Sequence, residues 1–432
     1  MASRVRGPGR ARDPGYRVTD RLYLWLLTDP GRPVLVGDLE LVRTLRGVSL
    51  RYDEAWLARG FALSEDLPLV PGEHLPRERD SAAGAVEDAR PDRWGERVIR
   101  FLDKPPRLSL LELLYFAGDD RFGALGVSTS REAYSPRRMG PLPALGDVAV
   151  IQELVYKVLA NEPVPATQRR LLSPGATMGG ARPKALVDID GEPWVVKLGA
   201  DDPVDSPLIE HASMTLARRA GIRVAETRAI RLPGGHAVAV RRFDRRSGRR
   251  LHALSAQVVL RAAGEVMGYP ELAQLLRRRG VVERGVSVSQ MHELFRRMVF
   301  NILIDNTDDH EKNHALLVDD RQRYQLSPAF DVLPSGQALG YQQMRVGLEQ
   351  ADSTLENALS MCEQFALRRD PAMREVRRVL APIARWKDHF RACGVSRGDV
   401  AALAEQIDRP FLLEQRRELQ PRAPRSRARR EV

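Results

Sequence analysis

Short runs of alternating hydrophobic and polar residues dominate the first third of the chain. Two of these runs, Val34–Leu39 and Val48–Tyr52, predict β-strands. Helices are predicted to begin near Pro91 and at Ser109, and a short strand is predicted at Ala124–Ser128. The pattern therefore indicates a small N-terminal module that mixes helices and strands.

The middle of the chain has the pattern of antiparallel strands interleaved with helices. Asp190-Gly191 lies between two apolar runs and is a strong signal for a β-hairpin. From about Ser255 onward, apolar residues recur mostly with helical spacing. The predicted elements between these points are a helix at 147–162, strands at 185–189 and 194–198, a helix at 207–220, and strands at 227–231 and 237–243.

This order of elements predicts an α+β, bilobal protein-kinase-like fold, with a small N-terminal α+β module and a mostly helical C-terminal lobe. A glycine-rich segment is followed by a hairpin, a helix, further strands and then helices. The predicted divisions are a disordered basic tail at 1–15, the N-terminal module at 16–145, an ATP-binding lobe at 146–250, a helical lobe with the catalytic loop at 251–418, and a disordered basic tail at 419–432.

Composition narrows the class of protein. The chain has 432 residues, 43% of them hydrophobic, which is enough for a sizeable core. No apolar run reaches the length of a membrane span, and the N-terminus lacks a signal-peptide pattern, so we expect a cytoplasmic protein without a membrane partner. Two cysteines exclude a disulfide framework. The net charge of +11 resides largely in the tails, which leaves open either nucleic-acid contact or a merely arginine-rich composition.

The segment 306–313, Asn-Thr-Asp-Asp-His-Glu-Lys-Asn, carries the strongest chemical signal. In kinase catalytic loops an Asp lies five residues before an Asn; the Asp accepts the proton of the substrate hydroxyl and the Asn holds Mg²⁺. Asp308 and Asn313 have this spacing, and Lys312 can offset charge on the transferred phosphate. Asp331 follows the next strand pair and is the second predicted Mg²⁺ ligand.

Cations for the phosphates of ATP are predicted upstream of this loop. Lys197 lies in an apolar strand, where a lysine usually snorkels to solvent or pairs, and Glu210 on the following helix is the predicted partner. Gly179 and Gly180 can bring backbone N–H groups to phosphate oxygens, and Arg182 and Lys184 add positive charge.

Two other interpretations of the polar segment remain open at this point. One is a solvated turn between a helix and a strand. The other is a hydrolytic metal site formed by Asp308, Asp309, His310 and His314, although these residues lack the helical spacing of zinc proteases.

Six segments together resemble the HipA-like kinase family, the toxin component of HipBA-type toxin–antitoxin systems. They resemble its phosphate loop, its ATP-lysine strand, the start of its Asn-Glu-His helix, its Glu-Arg-Phe-Asp-Arg hinge, its catalytic loop and its metal-binding Asp. In this chain the segments are Met178–Lys184, Val196–Leu198, Ile209–His211, Arg241–Arg245, Thr307–Asn313 and Ser327–Val332. The hinge departs from the family at Arg241, where the family has Glu.

The resemblance implies an ATP- and Mg²⁺-dependent serine/threonine protein kinase. It implies ATP contacts by Ala181, Arg241, Phe243 and His310 in addition to the residues above, and autophosphorylation at Thr177 or Ser173. It also implies a helix-turn-helix antitoxin, operator DNA bound through that antitoxin, and a translation-related substrate such as an aminoacyl-tRNA synthetase. A catalytically silent corepressor and a small-molecule phosphotransferase are the alternatives.

Overall fold

The computed structural model describes residues 16–137, 140–175, 180–200, 202–281 and 283–419. The predicted tails therefore lie outside the described residues, except for Leu419, and so do Thr177 and Gly179. The chain divides into two compact units. Unit 1 contains residues up to Pro207, Ala225–Glu265 and Lys312–Phe330, and unit 2 contains Leu208–Val224, Val266–Glu311 and Asp331 onward.

Secondary structure follows the predicted order. The strands are Arg21–Leu26 (β1), Val34–Val42 (β2), Gly47–Tyr52 (β3), Glu73–His74 (β4), Leu125–Ser128 (β5), Lys184–Ile189 (β6), Glu192–Leu198 (β7), Thr227–Leu232 (β8), Gly235–Arg241 (β9), Arg245–Arg246 (β10), Arg249–Arg250 (β11), Ala253–Ser255 (β12), Ala315–Val318 (β13) and Tyr324–Leu326 (β14). The α-helices are Glu54–Arg59 (α1), Arg93–Val98 (α2), Leu110–Phe116 (α3), Val148–Leu159 (α4), Ser206–Arg219 (α5), Ala256–Ala263 (α6), Tyr269–Arg279 (α7), Val286–Leu303 (α8), Leu355–Ser360 (α9), Arg369–Ile383 (α10), Trp386–Ala392 (α11), Arg397–Ile407 (α12) and Pro410–Leu419 (α13).

Unit 1 contains every strand named above. Its N-terminal sheet is antiparallel, in the order β4-β3-β2-β1-β5, and confirms the strands predicted at 34–39 and 48–52. Helix α3 begins at the N-cap Ser109, whose backbone N–H donates to Glu112, as in a capping box. The helix is buried along its whole length and packs on this sheet.

The second sheet of unit 1 has the order β6-β7-β9-β8 and is also antiparallel. One face packs against α2 and α4 in a core that includes Trp94, Ile151 and Val196. Side chains alternate between the two faces of a strand, so Lys184 and its cross-strand neighbour Lys197 lie on the opposite face. The predicted strand 237–243 ends earlier, at Arg241, because the chain then turns into a buried ion-pair cluster.

The third sheet has the order β12-β13-β14. In it Ser255 lies opposite Ala315, and the backbone N–H of Ala256 donates to His314 O at 2.8 Å. Strand β12 is thereby hydrogen-bonded to the residues that directly follow Asn313.

Unit 2 is built around α8, which packs against α7 and α10. This helix begins at Val286, well before the apolar stretch 298–304 that indicated it in the sequence, and ends at Leu303, just before the candidate catalytic loop. Within the described ranges, no helix combines the length and apolar character needed to cross a membrane.

Candidate active site

The segment 305–309 in unit 2 is held by hydrogen bonds from several directions. Asp305 Oδ1 accepts from Arg409 at 2.7 Å, and Asn306 Nδ2 donates to Asn301 Oδ1 at 3.1 Å. The Thr307 and Ser335 hydroxyls are hydrogen-bonded to each other at 2.6 Å. The Tyr269 hydroxyl donates to Asp309 Oδ2. Asp305, Asn306, Thr307 and Asp309 are all buried. The loop therefore has a single defined backbone path.

Asp308 differs from its neighbours because it is exposed, whereas the three residues before it and the one after it are buried. A carboxylate that is exposed on an anchored loop can contact the hydroxyl of a substrate without a rearrangement of the backbone. This is the placement that a general base requires.

Asn313 lies in unit 1, at the end of a short 3₁₀ turn, Glu311–Asn313. Its side chain is buried, yet Oδ1 has no hydrogen-bond partner among the described residues. A buried amide oxygen without a partner is costly, and a hard cation such as Mg²⁺ would satisfy it. The donor type and the orphaned oxygen therefore fit a magnesium ligand.

Asp331, the second predicted ligand, belongs to unit 2 and has a φ of +58°. A non-glycine residue in the left-handed region is uncommon, and such residues often occur at functional sites. The backbone conformation of Asp331 is therefore consistent with a functional role.

Lys197 and Lys184 are buried neighbours on β7 and β6. Two ammonium groups side by side require counter-charge. The Lys184 ammonium contacts the Asp92 carboxylate and donates to Gly180 O at 2.6 Å. Burial raises the pKa of Asp92, and the adjacent Lys184 opposes that rise. Lys184 is thus already held by unit 1, and its contact with phosphate stays a prediction.

Helix α2 contacts both ends of the glycine-rich segment, which comprises residues 173–184. At its C-terminal end, the Trp94 indole N–H donates to Lys184 O at 2.8 Å. At its N-terminal end, a Cβ on Gly95 would lie 2.1 Å from Pro174 O, so only glycine permits this approach. Gly180 and Ala181 are exposed, Arg182 pairs with Asp202 at 3.4 Å, and Ser173 is half-buried. The exposed backbone at 180–181 is accessible to a ligand.

Within the predicted hinge, Arg242 and Arg245 form ion pairs with the buried Asp244. Burial would raise the pKa of Asp244, but Arg242 and Arg245 more than offset this effect and lower it. Asp244 also accepts a hydrogen bond from the Gly123 N–H at 2.8 Å. The Phe243 ring is 5.4 Å from Phe330 and 6.2 Å from Phe122, so it packs beside the residue that precedes Asp331.

Arg241 occupies the position at which the resemblance expected a glutamate. It is exposed and pairs with Glu192 at 3.1 Å and with Glu226 at 3.5 Å. Its positive charge is therefore balanced by two neighbouring carboxylates of unit 1.

Glu210 is buried in α5 and belongs to unit 2, as does the half-buried His310. Among the residues that the structure describes, no group of three or more His, Cys, Asp and Glu side chains is arranged to hold a metal ion. This arrangement gives no support to the hydrolytic site considered for Asp308, Asp309, His310 and His314. Asp309 is instead hydrogen-bonded to Tyr269.

Several residues that support the site carried no signal in the sequence. Asp92 indicated only a helix start, and Tyr269, Ser335 and Arg409 lie far along the chain from their partners. Their roles depend on contacts made only in the folded chain.

Comparison with known proteins defines the class to which these features belong. Residues 176–387 match the HipA-like C-terminal domain, and residues 33–128 match the HipA N-terminal domain. The chain belongs to the HipA-like family.

One curated relative is the putative kinase Y4dM of Sinorhizobium fredii. It is 32% identical over 168 residues, which cover 33% of this chain and 37% of that protein. The match thus spans little more than a third of the relative's length.

A solved structure extends the likeness over most of the fold. The HipA of the Shewanella oneidensis MR-1 HipA, HipB and operator DNA complex aligns with a TM-score of 0.63 at 17% identity, and covers 92% of this chain and 97% of that one. At this identity the likeness establishes the fold. The predicted resemblance to the HipA-like family is confirmed.

Proposed function

We propose that this chain is an ATP- and Mg²⁺-dependent serine/threonine protein kinase with a kinase-like bilobal fold, and the toxin of a toxin–antitoxin pair. The observation that carries the proposal is the exposed carboxylate of Asp308 on a loop whose neighbouring side chains are buried and hydrogen-bonded. A turn that only connects a helix to a strand does not require hydrogen bonds from buried residues on both sides of one exposed aspartate.

In the proposed reaction, Asp308 accepts the proton of a Ser or Thr hydroxyl. The hydroxyl oxygen forms a bond to the γ-phosphorus of ATP while the bond from that phosphorus to the β–γ bridging oxygen breaks, and ADP leaves. Lys197 contacts the α- or β-phosphate, and the exposed backbone at Gly180 and Ala181 lies against the phosphates.

Asn313 and Asp331 would hold Mg²⁺. When bound, the ion would neutralise charge on the β- and γ-phosphate oxygens. Phe243, beside Phe330, supplies an apolar surface of the kind that an adenine ring requires. Substitution of Asn313 by Ala should therefore weaken the binding of Mn²⁺, a paramagnetic substitute for Mg²⁺, in the presence of ATP.

The proposed protein substrate is a translation-related enzyme such as an aminoacyl-tRNA synthetase, and Thr177 and Ser173 are the proposed autophosphorylation sites. The proposed partners are a helix-turn-helix antitoxin and its operator DNA. The similarity of fold to a HipA from a complex with HipB and operator DNA supports these partners. The same similarity keeps a silent corepressor as the second candidate.

The test is incubation of the purified protein with labelled ATP and Mg²⁺, alone and with a lysate, in comparison with Asp308→Asn. Transfer of label to protein by the unmodified chain, and at least a thousandfold less by Asp308→Asn, would support the kinase. No label on any protein would leave the corepressor, and label on a metabolite alone would indicate a small-molecule phosphotransferase.

Two further variants sharpen this experiment. Asp320→Asn removes an exposed carboxylate from the loop between β13 and β14 and should leave label transfer unchanged. Thr177→Ala and Ser173→Ala, made separately, should identify the autophosphorylated residue by the loss of label from the chain itself.

A further inference from the structure

Asp88 belongs to the N-terminal part of unit 1, in the 3₁₀ turn Gly84–Ala89. The residue as a whole is half-buried, but its carboxylate is packed among protein atoms, and this burial raises the pKa of Asp88 to about 6. A carboxylate in such a place requires hydrogen-bond donors or a nearby cation. Asp88 has both.

The donors come from Ser255. Its backbone N–H donates to Asp88 Oδ2 at 2.6 Å, and its hydroxyl donates to Oδ1 at 2.7 Å. The same hydroxyl accepts from the Val258 N–H and so caps α6. Asp88 therefore holds the junction between β12 and α6 by two bonds.

That junction is bonded to the exit of the catalytic loop. Ser255 lies opposite Ala315 in the β12–β13 pair, and the Ala256 N–H donates to His314 O at 2.8 Å. Because Asn313 directly precedes His314, the position of Ser255 determines where the backbone leaves the loop.

The nearby cation is Lys312. Of the charged groups that act on Asp88, Glu87 of its own turn raises its pKa and Lys312 lowers it. The turn also packs against α6 and β5. The charged residue of α6, Arg261, is paired with Glu78 at 3.5 Å, and β5 carries no charged residue.

From these contacts we propose that Asp88 is a positioning residue for phosphoryl transfer. It clamps Ser255 against the strand that follows Asn313. The N-terminal part of unit 1 is then required for the placement of Asn313, where the backbone leaves the catalytic loop. The effect on catalysis rests on the proposed kinase function.

The test compares Asp88→Asn with a matched control, Glu112→Gln. Glu112 is also a buried carboxylate that accepts hydrogen bonds from a helix N-cap serine, Ser109, but its other partners are Tyr16 and Arg107. We expect Asp88→Asn to lower kcat at pH 8 by about tenfold with KM for ATP changed by less than about twofold. We also expect kcat of the unmodified protein to fall below about pH 6 and this acid limb to be absent in Asp88→Asn. Equal kcat and equal pH profiles for both variants would overturn the proposal.

Hydrogen–deuterium exchange tests the clamp without any activity. Asp88→Asn should speed exchange of the backbone amides in 253–258 and 314–318, and Glu112→Gln should not. Faster exchange confined to 84–89 would overturn the clamp. If the unmodified protein transfers no phosphate but exchange changes as expected, the kinase proposal fails while the positional role of Asp88 stands.

Discussion

The Tyr269 hydroxyl donates a hydrogen bond to Asp309, the residue directly after the candidate base Asp308, and both partners are buried in unit 2. Asn301 donates to the same hydroxyl at 3.4 Å and accepts from Asn306 at 3.1 Å. Burial and the Asp309 charge raise the pKa of Tyr269 well above its ordinary value, so Tyr269 keeps its proton and remains a donor. Asp309 is thus an anchor of the loop.

Removal of the Tyr269 hydroxyl should disturb catalysis more than binding. In Tyr269→Phe, Asp309 loses a donor in a buried site, which should cost about 1–3 kcal/mol of unfolding free energy. The loop around Asp308 would lose its fixed path, and we expect kcat to fall about tenfold with little change in KM. Urea denaturation and steady-state phosphorylation assays measure both effects. The control is Tyr341→Phe, because Tyr341 is 50% exposed; equal results for the two variants would contradict this role.

The pair Arg409 and Asp305 should contribute strongly to stability. Asp305 is fully buried, and Arg409 contacts it at 2.7 Å. Loss of one partner of a buried pair leaves an uncompensated charge, so Arg409→Met should lower the unfolding free energy by about 3–5 kcal/mol. Arg417→Met, at an exposed position of α13, should change it by less than about 0.5 kcal/mol. Asp305→Asn combined with Arg409→Met should recover much of the loss; a double variant as unstable as Arg409→Met would argue against the pair.

Because of Asp88, a fall in pH should raise the free energy of unfolding and lower kcat. Its pKa is raised from 3.8 to about 6 in the folded chain, so the folded state binds a proton that the unfolded state does not bind between these values. Stability from this group is therefore present at low pH and is lost as the pH rises through about 6. Between pH 8 and pH 5 the unmodified protein should gain about 1 kcal/mol relative to Asp88→Asn. Urea titrations at the two pH values measure this difference, and a difference of the opposite sign would contradict it.

A double substitution distinguishes the structural role of Lys184, its ion pair with Asp92, from its predicted contact with phosphate. Lys184→Met leaves the half-buried Asp92 carboxylate without its cation and should lower the thermal midpoint, and Lys184→Met with Asp92→Asn should restore it. If Lys184 also contacts phosphate, KM for ATP should stay raised by about tenfold in the double variant. A normal KM there would assign Lys184 to structure alone. For comparison, Lys197→Met removes the neighbouring lysine that is proposed to contact phosphate, and it should abolish phosphate transfer.

Much of the fold could be predicted because hydrophobic periodicity and turn residues are properties of short stretches of sequence. Asp190-Gly191 joins β6 and β7 as expected, since both central residues have positive φ, at +58° and +80°. Strand β1 received no prediction of its own, and α8 extends twelve residues upstream of its predicted apolar core, from Val286 rather than Met298. In both cases neighbouring elements supply the burial that short windows of sequence cannot reveal.

The sequence by itself determined the family and the candidate residues Asp308, Asn313 and Lys197, because motif spacing is a property of neighbouring positions. Only the tertiary structure decided that Asp308 is exposed while Asp309 is an anchor, and that Lys184 pairs with Asp92. The two adjacent aspartates are chemically identical in the sequence. Their roles differ because Tyr269, forty positions away, reaches only one of them.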